Sequence, residues 1–98
     1  MAKFMIRVEL HDANSNDYDT LHDAMYDVSI YRVIEDTTTG KYYALPRGQY
    51  HYVGTIDNRQ AMLDLAKIAV RKTSRSFEIV VTESNGSLWD GLDEVPQG

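Results

Sequence analysis

The chain has no cysteine, so disulfide frameworks, thiolate metal sites and thiol nucleophiles are all excluded, and a reducing compartment suits it. It has no apolar run long enough for a secretory leader or a membrane span. That absence sets the expectation of a cytoplasmic protein with no membrane partner. It also lacks a basic excess: the formal charge is −5, from 15 acids and 10 bases. Asp90, Asp93 and Glu94 lie in the C-terminal tail, which leaves 12 acids against 10 bases in residues 1–87. This balance counts against a general nucleic-acid binder and leaves room for a local positive patch at a specific site. There is no G-x-S-x-G, no phosphate-binding glycine loop, no H-E-x-x-H and no dinucleotide glycine pattern. No motif points to a metabolic enzyme, a cofactor, a metal or a small-molecule substrate.

What is present is one globular domain. Ninety-eight residues, 43% hydrophobic and 26% charged, bury a single core without staples. The organising stretch is Lys3 to Leu10. Phe4, Ile6, Val8 and Leu10 fall on one side of an extended chain, and Lys3, Met5, Arg7 and Glu9 on the other. A period of two predicts a central strand with one buried face and one open, more polar face.

Asp12-Ala13-Asn14-Ser15-Asn16 then supplies helix-capping residues, with Asp17 and Asp19 in the first turn. Tyr18, Leu21, Met25 and Val28 form a narrow apolar stripe, predicting a short helix on the sheet. Asp12-x-Asn14-x-Asn16 only superficially follows calcium-loop spacing. It lacks the sixth-position glycine and the twelfth-position glutamate. Ser29 to Glu35 reads as a second strand, Asp36 to Gly40 as a hairpin loop, and Lys41 to Leu45 as a returning strand. Pro46-Arg47-Gly48 interrupts the run before Gln49 to Thr55 resumes it. Either one long bent strand or a short extra strand satisfies this pattern.

Asp57 to Gln60 reads as a capping box with Asp57 as cap, followed by a broad apolar face from Ala61 through Ala69 and cations at Arg71 and Lys72. Phe77, Ile79 and Val81 alternate with Glu78, Val80 and Thr82 in the last main strand. The order predicts an α+β, ferredoxin-like βαββαβ domain over residues 1–87: one antiparallel sheet, both helices on one face, the regular first and last strands innermost. Residues 88–98 are expected as a loose C-terminal tail, with Leu88 and Trp89 able to fold back.

Several segments together resemble a known family. They are the opening alternating strand, Ala24-Met25-Tyr26-Asp27 at the end of the first helix, Val33-Ile34-Glu35-Asp36, Leu45-Pro46-Arg47 after the hairpin, and Ile79-Val80-Val81-Thr82. The chain resembles the GhoS antitoxins, endoribonuclease antitoxins of type V toxin–antitoxin systems. The resemblance implies a ferredoxin-like fold and cleavage of a single-stranded toxin messenger RNA. The hairpin from Asp36 through Tyr43 is longer than the family pattern, and the acidic tail after Trp89 is a further departure.

Two sets of site residues follow. Arg7 and Arg32, with Tyr31 or Tyr52 to stack a base, could form a single-strand RNA platform, or Arg7, Glu9 and Arg32 could be cross-strand ion pairs. At the end of the first strand Asp12 could bind a metal or orient a water with His11 as acid or base, or Asp12 could cap the next helix beside a surface His11. His22 reads as a solvated helix residue. The hairpin region, with Tyr42, Tyr43, Tyr50, His51 and Tyr52, offers a protein-contact surface. A non-enzymatic protein-binding or dimerisation module of phage or plasmid origin is the alternative function, and the free edges of such a sheet make a homodimer the expected state under both.

Overall fold

The computed structural model describes residues 1–96; Gln97 and Gly98 of the expected tail lie outside the described residues. The chain forms β1 (Ala2–Leu10), α1 (Ser15–Asp27), β2 (Val33–Asp36), β3 (Lys41–Ala44), β4 (Gln49–Gly54), α2 (Arg59–Val70), a 3-10 turn at Arg71–Thr73, β5 (Phe77–Glu83) and β6 (Glu94–Val95). It is an α+β domain with two helices and two three-stranded antiparallel sheets.

β1 is the middle strand of the first sheet, ordered β4-β1-β5. Phe4, Ile6, Val8 and Leu10 are all buried, and Arg7 and Glu9 are exposed, as the period of two requires. Phe4 stands opposite Tyr52 and Ile6 opposite Tyr50, so β4 adds two aromatic rings to the same core. Tyr18, Leu21, Ala24 and Met25 of α1 and Met62, Ala66, Ala69 and Val70 of α2 complete one cluster over that face. Burying side chains of this size is the main stabilising contribution of the fold.

Helix ends follow from local hydrogen bonds. Asn14 caps α1 in a full capping box: its side chain accepts from the Asp17 N–H, and the Asp17 carboxylate accepts from the Asn14 N–H. The acidic cluster that superficially followed calcium-loop spacing is thus partly used up as a cap. In α2 the cap is Asn58 rather than Asp57, accepting from Ala61 N–H at 2.7 Å. Gln60 does not reach back to the cap; it donates to Asp64 one turn later.

The expected single sheet differs from the observed pairing in three ways. Among the described residues the segment after α1 pairs with the first sheet at a single bridge, Tyr31–His51, where each backbone N–H donates to the other carbonyl, at 3.0 and 2.8 Å. It then turns away as β2 and pairs with β3. The break at Pro46–Gly48 separates β3 from β4, which therefore lie in different sheets: the short extra strand, not the long bent one. And β5 is an edge strand, paired among the described residues with β1 alone. The segment expected as a loose tail returns to the body: Tyr42 and Tyr43 pair with Val95 and Glu94, Ala44 N–H donates to Asp93 C=O, and Trp89 lies 5.6 Å from the Tyr43 ring. Among the described residues no helix is long and apolar enough to cross a membrane.

Candidate functional site

The open face of β1 carries Lys3, Met5, Arg7 and Glu9, flanked by Gln49, His51 and Val53 of β4 and by Glu78, Val80 and Thr82 of β5. Arg7 is exposed between Gln49 and Val80 and has no ion-pair partner among the described residues. Glu9 stands directly opposite Glu78, so one end of the face is acidic. Among the described residues, Arg7, Glu9 and Arg32 do not form the cross-strand ion pairs that could have occupied this face.

The four residues of the expected RNA platform are not brought together. Tyr52 points into the core, 7% exposed, packed on Phe4 with its hydroxyl accepting from Ile56 N–H. It alternates with His51 along β4, and His51 takes the open face. Arg32 follows Tyr31 and lies on the helix side, close enough to His22 and Tyr50 to shift both. Tyr31 is exposed and meets the edge of Tyr26, ring centroids 5.3 Å apart. Of the platform, Arg7 stands on the open face, and Tyr31, directly opposite His51, lies on the same side at the outer flank of β4.

A groove of about 340 Å³ is lined by residues of both sheets and their connections, among them Lys3, His51, Thr37, Thr38 and Trp89. His51 is 9% exposed, yet its imidazole makes no side-chain hydrogen bond to the described residues. Burial, aided by the Lys3 charge, pushes its pKa down, so it stays neutral and offers one donor and one acceptor to the groove. No sequence signal singled out this combination, because Trp89 reaches it only through the returning C-terminal segment.

The end of β1 holds the second set. His11 follows Leu10, and its backbone N–H donates to Ser76 C=O. Its Nδ1 lies 3.1 Å from Ser76 Oγ and its Nε2 lies 3.1 Å from Glu78 Oε2. A carboxylate only accepts, so Nε2 carries the proton towards Glu78; in the neutral ring the Nδ1 lone pair then faces the Ser76 hydroxyl. Asp12 is next, exposed, with a φ of 53° and no hydrogen-bond partner among the described residues. Asn14, not Asp12, caps α1. Arg71 and Lys72 are exposed on the 3-10 turn five and four residues before Ser76. Arg75 is engaged, its Nε donating to Asp17 at 3.0 Å. Among the described residues no three His, Asp or Glu side chains are grouped as metal ligands.

His22, expected as a solvated residue, is instead half-buried, with Nδ1 2.7 Å from the Tyr50 hydroxyl. The signal that could have found it is its spacing of four from Tyr18, which puts it on the flank of the apolar stripe. Burial first, then the Arg32 charge, lowers its pKa. His22 and His51 therefore give stability a definite pH dependence. Both take up a proton more readily unfolded than folded, so their contribution is complete above the ordinary value of 6.5 and is lost as pH falls through their lower folded values. Urea midpoints measured above and below 6.5 should fall on the acid side, and the double variant His22→Gln, His51→Gln should flatten that slope.

A scan against protein-family models matches none, and a search of curated proteins finds no match.

Proposed function

We propose that the chain is a GhoS-like antitoxin on a ferredoxin-like framework, which binds short single-stranded RNA over the open face of β1 and cuts it at the end of that strand. The framework reading is supported by the neighbours of β1, by two helices over its apolar face, and by the Tyr31–His51 bridge, which leaves the segment before β2 next to β4. The observation that carries the functional reading is the His11 imidazole, held between Ser76 Oγ and Glu78 at the exposed end of the central strand, next to an Asp12 with no hydrogen-bond partner among the described residues.

Cleavage on this reading uses the substrate's own 2′-hydroxyl. His11 Nδ1 takes the 2′ proton in place of the Ser76 hydroxyl, with Glu78 holding the Nε2–H side of the ring. The 2′-oxygen attacks phosphorus, the bond to the 5′-oxygen breaks, and the leaving oxygen takes a proton from water. Arg71 and Lys72 supply local positive charge for the phosphate. The groove with Lys3, His51 and Trp89 receives a base further along the same face. The pairing of Glu9 with Glu78 keeps affinity low for long polyanions. Unstructured A/U-rich RNA, incubated with magnesium and with a chelator, should be bound at low salt and cut. Neither binding nor cutting removes this reading.

The alternative, a non-enzymatic protein-binding or dimerisation module, is favoured by one observation: β5 has no neighbour on its outer edge among the described residues, and Val80 on it is 61% exposed. A second copy paired along β5 would double the mass in light scattering at several concentrations. A monomer throughout rules out the homodimer.

A further inference from the structure

We propose that Arg32, Arg47 and His22, on the helix side of the sheet beside Tyr18 and Tyr50, form a binding site for a phosphate group. The site stands apart from the open face and does not rest on RNA cleavage. Tyr50 is fully buried opposite Ile6, and its hydroxyl lies 2.7 Å from His22 Nδ1. Burial holds the phenol protonated and the imidazole neutral. The phenol O–H therefore donates to Nδ1, and Nε2–H is left as a donor with no acceptor among the described residues.

Arg32 is half-buried on the stretch between α1 and β2. Its Nε is sealed from solvent with no partner, and its Nη2 reaches only the Leu45 carbonyl, at 3.5 Å. No carboxylate lies within 4.0 Å of it among the described residues. A guanidinium in such a position ordinarily has a counter-charge, because removing it from water costs far more than a neutral group. Arg47, exposed on the strap before β4, lies 4.1 Å over the Tyr18 ring and has no carboxylate partner either. Tyr18 is in turn beside His22, ring centroids 6.4 Å apart.

The charged groups acting on His22 are Arg32 and Arg47 from the sheet side and Asp19 and Asp23 from α1. Both aspartates are exposed, so solvent screens them, whereas Arg32 is half-buried. They keep the affinity moderate without filling the site. The Arg47 fork, the Nη groups of Arg32 and one imidazole N–H offer donors for the several oxygens of a phosphate dianion, where a carboxylate has only two; the sealed Arg32 Nε stays outside the contact.

Titration of the full chain with inorganic phosphate, at ionic strength fixed with sodium chloride and followed by NMR at His22, tests this. A saturable shift is expected, with binding weakened about tenfold in Arg47→Ala and in Arg32→Lys, which keeps the charge and loses the fork. Arg47 is exposed, so its variant folds, and it carries the test alone should the Arg32 variant not. A parallel titration with 5′-phosphorylated and 5′-hydroxyl oligonucleotides assigns the source. Preference for the phosphorylated end identifies an RNA terminus, and saturable inorganic phosphate binding without it identifies a free phosphate. The absence of any saturable shift at His22, or equal affinity in the wild type and Arg47→Ala, overturns the site.

Discussion

Gly48→Ala should lower the melting temperature by roughly 12–24 °C, at about 3 kcal/mol and 4–8 °C per kcal/mol for a domain of this size. Gly48 has φ +85°, a conformation that an L side chain adopts only under strain, which costs on the order of 1–3 kcal/mol. Space makes it worse. A Cβ there would stand 2.5 Å from the Val8 carbonyl oxygen, a backbone atom in the middle strand that cannot swing aside. The Gly48 carbonyl also accepts from Val8 N–H at 2.7 Å, so relieving the clash breaks a hydrogen bond worth about 1 kcal/mol. Gly91→Ala is the control. Its φ is +78°, yet nothing lies within 4 Å of the added carbon, so it carries the strain without the collision. Thermal unfolding of the two variants should therefore differ clearly. Equal losses at both positions would mean that the strap at Pro46–Gly48 yields freely, and that Arg47 is not held over Tyr18 by a rigid turn.

That strap also marks where the sequence stops being legible. β1 could be read residue by residue, because one face is buried and the other is not, and alternation records that directly. The two helices were legible from their stripes for the same reason. β5 alternates too, but one buried face is common to inner and edge strands, so its place at the edge left no mark. The second sheet was hidden for another reason. Its closing strand, Glu94–Val95, is held by backbone pairing to Tyr42 and Tyr43, and backbone hydrogen bonds are blind to side-chain pattern. The placement of Arg32 failed on phase. Tyr31 and Arg32 sit next to each other in a segment with only one bridge to the first sheet, so no ladder fixes which of them faces the helices from sequence alone. Tyr52 failed similarly: Tyr50, His51 and Tyr52 alternate, and the break at Pro46–Gly48 let either phase stand until the pairing with Phe4 and Ile6 was known.

His11→Ala should cut RNA cleavage by about 10²–10⁴-fold, the usual contribution of a positioned general base, while leaving the fold intact. The expectation of an intact fold comes from exposure: His11 packs no core, and its backbone bond to the Ser76 carbonyl survives truncation at Cβ. The size of the effect separates catalysis from binding. Loss of one exposed side chain from a binding surface changes affinity modestly, whereas loss of the base acts on the rate at saturating RNA. Glu78→Gln adds a finer distinction. The amide can still meet the ring but no longer supplies a carboxylate to hold the proton on Nε2, so a positioning role for Glu78 predicts a slower rate although RNA binds as tightly or more tightly, the Glu9–Glu78 repulsion being relieved. Ser76→Ala should do the reverse. It frees Nδ1 from the hydroxyl that the substrate's 2′-hydroxyl has to displace, so the rate should hold or rise. Three variants thus read one imidazole from its three sides. If His11→Ala retains full cleavage on an RNA that the wild type cuts, the chemistry does not sit at the end of β1, and the groove beside His51 becomes the place to look for it.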